Sequence, residues 1–152
     1  MNRSLKKTND LAEMENLFLA LSDKTRLKIL NLMRDQEVCV NSLAEVLGES
    51  QPKISRHLAY LKTAGIVFAR REGKWIYYKI AVTGNPFAEN ILRDTLEWLV
   101  DQEDLRENYS MLRKLNKSFQ SVETTGEKLP QDIFASGDMK EYVRDELETF
   151  LL

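Results

Sequence analysis

Apolar residues recur every three or four positions in the first part of the chain, a spacing typical of amphipathic helices that bury one face. Asn9 or Asp10 can cap a first helix. Its apolar stripe consists of Leu11, Met14, Leu17, Phe18 and Leu21. Asp23 precedes a second run of this kind, and Asn41 precedes a third, short one that ends at Gly48. The pattern predicts three helices before residue 50.

A fourth helix is predicted over residues 51–63. Ser50 is a suitable N-cap, and Pro52 falls in the first turn, where its missing N–H breaks no hydrogen bond. The inward stripe consists of Ile54, Leu58 and Leu61. At about 100° per residue, Arg56 lies roughly 165° from this stripe, with Lys53 and Tyr60 on the same outer side. The outer face of this helix is therefore expected to be polar and cationic.

Two β-rich runs, residues 66–71 and 75–80, follow Gly65 and are joined by Glu72, Gly73 and Lys74. This arrangement is typical of a β-hairpin. The predicted fold class is therefore mainly α with one β-hairpin (α+β).

Beyond the hairpin, Asn85 and Pro86 indicate another helix start, and apolar residues then recur every seven positions. This heptad line consists of Ile91, Trp98, Leu105, Leu112 and Phe119. It favours one long dimer-forming helix. As alternatives, Asp104 and Glu107 could form a capping box that starts a separate helix, or the segment could pack within one chain.

The two ends of the chain are predicted to lie outside the main domain of residues 9–120. Residues 1–8 are expected to form a flexible arm, and the polar segment 121–137 to form a linker. Residues 138–152 carry an apolar stripe typical of a short amphipathic helix. That helix could pack on the dimer helices, line an effector pocket or contact another protein.

Charge is distributed unevenly, although the net charge is only −2. Residues 1–49, 50–80 and 81–152 carry −1, +6 and −7 respectively. The basic residues of the middle segment are Lys53, Arg56, Lys62, Arg70, Arg71, Lys74 and Lys79. Such a cluster can neutralise DNA phosphates while the acidic remainder orients the protein on the duplex. A solvated basic face is the alternative interpretation.

Composition argues against several other classes of protein. The single cysteine, Cys39, cannot form an internal disulfide, and no apolar run has the length of a signal peptide or a membrane span. We therefore expect a cytoplasmic protein with no membrane role. The chain has no glycine-rich phosphate loop and no second histidine or cysteine for a nucleophile and base pair. We expect neither an enzyme nor a cofactor, with acid–base chemistry by carboxylates alone as the enzymatic alternative.

The basic helix and its surroundings match the motifs of a known family. The match to the recognition helix of that family consists of Ser50, Gln51, Pro52, Lys53, Ile54, Ser55, Arg56, His57, Leu58, Leu61, Ala64 and Gly65. It extends upstream through Ala20, Leu21, Ser22, Asp23, Arg26, Leu27, Ile29 and Leu30, and downstream through Arg70, Arg71, Glu72, Gly73, Lys74, Trp75, Tyr77 and Tyr78. The helix, turn, helix and hairpin motifs agree in order and spacing over roughly residues 11–100, so the chain resembles the ArsR/SmtB repressors.

The resemblance implies a homodimeric winged helix-turn-helix repressor that binds double-stranded DNA at an inverted-repeat operator, with half-sites roughly 34–36 Å apart. The expected DNA contacts are Gln51, Lys53, Ser55, Arg56, His57, Arg70, Arg71 and Lys74. Arginine can fork onto guanine and glutamine onto adenine. His57 sits beside the apolar stripe, so a buried or phosphate-side donor is the alternative to a base contact. The expected dimer contacts are Leu11, Met14, Phe18, Ile91, Trp98 and Leu105.

The sequence departs from the family at the effector site. In arsenic-sensing members, the run that leads into the third helix carries Cys-Val-Cys, whereas this chain has Cys39, Val40 and Asn41. Soft ions such as As(III) or Cd(II) favour two or more thiolates, so we expect no metal site and some other, small-molecule effector. Two alternatives stay open: a redox-responsive repressor that uses Cys39, and a winged-helix protein that mediates protein contacts.

Overall fold

Helices and one small antiparallel sheet make up the part of the chain that the structure describes. This computed structural model describes residues 10–81 and 83–125, with side chains from residue 11 to residue 118. The helices are α1 (Asp10–Leu21), α2 (Lys24–Leu32), α3 (Val40–Leu47), α4 (Gln51–Thr63), α5 (Pro86–Val100) and α6 (Glu103–Thr125). The strands are β1 (Val38–Cys39), β2 (Val67–Glu72) and β3 (Trp75–Ile80). The predicted class, mainly α with a β-hairpin, is confirmed.

The chain divides into two compact units, residues 1–113 and 114–152. The first unit holds α1 to α5, the sheet and the first part of α6. Of the second unit, the structure describes residues 114–125, which continue α6. All contacts discussed below lie within the first unit.

The second helix, α2, lies at the centre of the first unit and contacts α1, α3, α4 and α5. Ile29, Leu30 and Leu32 on this helix have no exposed surface. Asp23 caps the start of α2, as predicted, because its Oδ1 accepts the backbone N–H of Arg26 at 2.9 Å. Burial of several large apolar side chains, at about 2 kcal/mol each, makes α2 the support for the helices around it.

The turn between α3 and α4 follows from two local features of the sequence. Gly48 has a φ of 65°, a left-handed conformation that favours glycine and ends α3. Ser50 then caps α4, since its Oγ accepts the backbone N–H of Lys53 at 3.4 Å. The third helix begins at Val40, one residue before the predicted cap Asn41, because Cys39 still has extended backbone and occupies the cap position.

The hairpin has a tighter turn than predicted. Glu72 pairs with Trp75, so Gly73 and Lys74 alone connect β2 to β3. Gly73 has a φ of 59°, which a two-residue hairpin turn of type II′ requires at this position. The strand β1, which was not predicted, pairs with β3 on the side opposite β2. Two residues are too few to show the alternation by which strands are detected.

The predicted long heptad helix is interrupted, so α5 and α6 are separate helices. The N–H of Gln102 donates to the carbonyl of Leu99 at 3.1 Å, while the carbonyl of Gln102 accepts the N–H of Arg106 at 3.2 Å. Gln102 thus follows α5 and directly precedes α6. The predicted capping box placed Asp104 at this position before the second helix. That acidic residue lies instead in the first turn of α6, where a carboxylate favours the helix dipole.

The break also divides the heptad residues between two environments. Trp98 on α5 is 60% exposed, whereas Leu105 and Leu112 on α6 are 8% and 0% exposed. The expectation that Leu105 lies in a dimer interface is therefore wrong, since its side chain is buried within one chain. Ile91 is half-buried, and Phe119 lies outside the residues whose side chains are described.

Polar contacts attach the start of α6 to the end of α2. Asn31 is fully buried, and its Nδ2 donates to the carbonyl of Leu105 at 3.4 Å. The hydroxyl of Tyr109 donates to Asp35 Oδ2 at 2.8 Å, and the guanidinium of Arg34 lies 3.6 Å from the ring centroid of Tyr109. These contacts fix the position of α6 against the end of α2. The heptad pattern, in contrast, predicted that α5 would continue through this segment.

The described residues include only part of the segments that were predicted to lie outside the main domain. α6 extends to Thr125, so the first residues of the predicted linker, 121–125, are helical. The predicted arm 1–8, the rest of the linker and the predicted helix 138–152 lie outside the described residues.

Two neighbouring positions on α6 test whether its first part belongs to the protomer core. Leu112→Ala removes a side chain with no exposed surface and should lower the free energy of unfolding by about 2 to 5 kcal/mol. Met111→Ala changes a side chain that is 44% exposed and should change it by about 0.5 kcal/mol or less. Urea unfolding of both variants measures these changes in the free energy of unfolding. Equal losses in the two variants would contradict the assignment of the first part of α6 to the protomer core.

Candidate nucleic-acid interface

The apolar stripe of α4 determines which residues of this helix can meet a ligand. Ile54, Leu58 and Leu61 have no exposed surface. Arg56, on the opposite side, is exposed, and its Nε donates to the carbonyl of Pro52 at 3.4 Å. The helix therefore presents an arginine side chain outward, as predicted.

The first turn of α4 carries two further predicted contact residues. Gln51 is half-buried at the first position of the helix. Lys53 is also partly exposed, and its Nζ lies 2.8 Å from Oε1 of Glu49 in the preceding turn. An exposed ion pair of this kind contributes little stability, so the Lys53 ammonium can exchange this partner for a phosphate.

Two predicted contact residues on α4 face inward. Ser55 is only 7% exposed and lies on the buried side of the helix, so the structure does not favour it as a DNA contact. The side chain of His57 is 18% exposed, and its Nδ1 lies 3.6 Å from Asp23 Oδ1. Burial lowers the pKa of His57 more than the nearby Asp23 raises it, which favours the neutral form of the imidazole.

Contacts with Arg26 hold the carboxyl group of Asp23 in its charged form. Burial acts to raise the pKa of Asp23, but the backbone N–H of Arg26 and the nearby positive charge outweigh it and keep this pKa below its ordinary value. The side chain that caps α2 is therefore also the partner of His57 on α4.

Arg70 on the hairpin is held by two carboxylates. Its Nη2 lies 2.7 Å from Oε2 of Glu37, its Nε lies 3.1 Å from Oε1 of the same residue, and its Nη1 lies 3.0 Å from Oε2 of Glu72. The hydrogen bonds from Arg70 lower the pKa of the Glu37 carboxyl group and in turn raise the pKa of the guanidinium. Arg70 therefore ties the loop after α2 to the hairpin, rather than presenting an uncompensated charge to DNA.

The tip of the hairpin keeps the other two predicted basic contacts at the surface. Arg71 is exposed, and its Nε donates to the carbonyl of Gly73 at 3.0 Å. Lys74 is exposed too, and its Nζ lies 5.3 Å from the ring centroid of Trp75. Both side chains can reach a phosphate from the end of the β2–β3 hairpin.

Cys39 is half-buried at the end of β1, where its backbone pairs with Tyr77. Within residues 10–81 and 83–125, no three His, Cys, Asp or Glu side chains come close enough together to hold a metal ion. Over the same residues, no helix is both long and apolar enough to cross a membrane.

Sequence reasoning missed the carboxylates that accompany the basic residues. Glu37 is 33 positions from Arg70, and no local pattern indicates that pair. Glu49 could have been found, because an acidic residue four positions before Lys53 is the spacing of a helical ion pair. Arg26 contacts both α1 and α4, and the motif that contains it does not indicate these contacts.

A short helix, a glycine turn and a second helix with an outward arginine precede a hairpin with a basic tip. This arrangement is that of a winged helix-turn-helix DNA-binding protein. The β2–β3 hairpin is its wing, and α4 is its recognition helix.

Comparisons with known proteins identify the family. Residues 23–68 match the family model described as bacterial regulatory protein, arsR family. The arsenical resistance operon repressor of Escherichia coli is 38% identical over 103 residues, which cover 67% of this chain and 86% of that protein. The transcriptional repressor SdpR of Bacillus subtilis is 36% identical over 58% of this chain and 90% of that protein.

A solved structure agrees with these sequence relatives. It is the homodimeric winged helix-turn-helix DNA-binding domain of a possible ArsR-family regulator from Mycobacterium bovis, with a TM-score of 0.52 and 32% identity over 65% of this chain and 86% of that chain. The chain described here belongs to the ArsR family of bacterial regulatory proteins. It is a DNA-binding transcriptional regulator and not an enzyme.

Proposed function

We propose that this protein is a cytoplasmic homodimeric repressor that places α4 of each subunit in the major groove of an inverted-repeat operator. The observation that carries the proposal is the exposed Arg56, on the side of α4 opposite three fully buried side chains. Arg56 and Gln51 read base edges, while Lys53, Arg71 and Lys74 contact phosphates. Ser55, His57 and Arg70 do not contact DNA in this proposal, and their side chains instead contact other residues of the same protomer.

Exposed apolar side chains on two helices support the dimer. Leu11 and Phe18, seven residues apart, share one face of α1 and are 80% and 55% exposed. Phe87 and Trp98 share one face of α5 and are 74% and 60% exposed. Large apolar residues that share a face and meet water mark a protein contact surface. The homodimeric relative from Mycobacterium bovis favours a second copy of this chain as the partner.

The dimer contacts proposed here add Phe87 to the sequence prediction and omit one predicted residue. They are Leu11, Met14 and Phe18 from α1 and Phe87, Ile91 and Trp98 from α5, without the buried Leu105. A two-fold dimer of this kind places one recognition helix on each half of a palindromic site.

Two substitutions separate base reading from phosphate binding. The probe is the tightest duplex that the wild-type protein selects from random sequences of about 30 base pairs, called the selected duplex below. Arg56→Ala should weaken binding to it by about 1 to 3 kcal/mol and relax the base preference. Lys74→Ala should weaken binding to the selected duplex and to a scrambled one alike and reduce the salt dependence of binding.

Arg93→Ala serves as the control for these binding measurements, because it removes an exposed arginine from α5, away from α4 and the wing. Fluorescence anisotropy titrations at several salt concentrations measure all three variants. A loss of affinity in Arg56→Ala no larger than that in Arg93→Ala would contradict the proposed role of α4.

We also propose that the release signal is not arsenic bound by thiolates. Arsenic favours two or more thiolates, and each subunit has only Cys39 at the start of α3. Two other release signals stay hypotheses: oxidation of the Cys39 thiol, and binding of a small molecule that releases the repressor from DNA.

Addition of arsenite tests the proposed effector class. Arsenite should leave the complex of wild-type protein and selected duplex intact, as measured by anisotropy. Asn41→Cys supplies a second thiol two residues from Cys39, so this variant is expected to gain release by arsenite. Release of the wild type by arsenite that disappears in Cys39→Ser would overturn the proposal.

A further inference from the structure

The junction between α1 and α2 contacts the recognition helix through two pairs of side chains. Asp23 Oδ1 lies 3.6 Å from Nδ1 of His57, and the guanidinium carbon of Arg26 lies 4.2 Å from the ring centroid of Tyr60. Asp23 and Arg26 are three residues apart, as are His57 and Tyr60. One turn at the start of α2 therefore meets one turn of α4 through two contacts.

Arg26 also holds the end of α1. Its Nε donates to the carbonyl of Ala20 at 2.8 Å, and its Nη2 donates to the carbonyl of Leu19 at 3.0 Å. The last carbonyls of a helix have no partner within the helix, and a cation there also favours the helix dipole. The guanidinium N–H groups thus cap α1 while the guanidinium carbon lies over the ring of Tyr60 on α4.

A planar guanidinium can do both tasks at once, whereas an ammonium cannot. The five N–H donors of arginine lie in the plane of the group, which leaves the two faces available for an aromatic ring. Lysine keeps the charge but loses the planar fork. Arg26 is therefore suited to fix both the position and the angle of α1 relative to α4.

We propose that Arg26 is a positioning residue that sets the angle between α1 and α4, and so determines which half-site spacing the dimer accepts. This inference rests on the proposed function, in which α1 lies at the dimer contact and α4 in the major groove. In such a dimer, a change of tilt between α1 and α4 moves each recognition helix relative to the two-fold axis. The affinity for one half-site depends on α4 and the wing of one subunit and should not respond to that tilt.

The test compares the binding of variants to duplexes whose two half-sites are moved apart or together in steps of one base pair. Wild type should prefer one spacing. Arg26→Lys and Tyr60→Leu should reduce that preference by about three- to tenfold, since the restraint between the helices is weakened. Their affinity for a duplex with one half-site should stay within about twofold of wild type. Tyr60→Phe keeps the ring beneath Arg26 and should retain the wild-type preference.

Arg34→Lys is the matched control. Arg34 lies just beyond the other end of α2, and its guanidinium carbon likewise lies over an aromatic ring, 3.6 Å from the ring centroid of Tyr109. This control should retain the wild-type spacing preference. Urea unfolding of every variant shows whether it is folded, and Tyr60→Leu tests the proposal independently of whether Arg26→Lys folds.

The outcomes separate this inference from the proposed function. An unchanged spacing preference in folded Arg26→Lys and Tyr60→Leu would overturn the positioning role. An equal loss of affinity for one-half-site and two-half-site duplexes would overturn it too, because it would indicate direct contact with DNA or a general loss of structure. If wild type itself prefers no spacing, the proposed dimeric function fails, and the inference that depends on it fails with it.

Discussion

Ile54, Leu58 and Leu61 pack into the core without exposed surface, and this packing fixes the side of α4 that can meet DNA. Turning α4 about its axis would move these side chains into water at about 2 kcal/mol each. Arg56 is therefore held outward by apolar contacts on the opposite side of its own helix. The central helix α2 supplies part of the surface against which α4 packs, so the reading face depends on the core of the protomer.

The number of basic residues overstates the positive charge that this surface offers to DNA, because carboxylates pair with some of them. Glu37 and Glu72 hold Arg70, and Glu49 lies beside Lys53. A paired cation attracts phosphate less strongly than an unpaired one, and the pair must separate before it can contact DNA. The wing thus uses Arg70 to join itself to the loop after α2, while Arg71 and Lys74 remain at the tip.

Features that depend on neighbouring residues could be predicted from the sequence, and features that depend on distant ones could not. Ser50 and Pro52 define the start of α4 locally, so its bounds, Gln51–Thr63, agree with the prediction. A seven-residue repeat shows which residues share a face but not what covers that face, and Leu105 was therefore assigned to the wrong surface. The short strand β1 and the Glu37–Arg70 pair depend on contacts across the fold that no local pattern encodes.

Hydroxyl-radical footprinting of the wild-type protein on the selected duplex tests the central claim most directly. If two recognition helices bind successive major grooves, the protein should protect two backbone patches on one face of the DNA, about one helical turn apart and related by two-fold symmetry. A single protected patch, or protection without that symmetry, would contradict a dimer that reads DNA through α4 of each subunit.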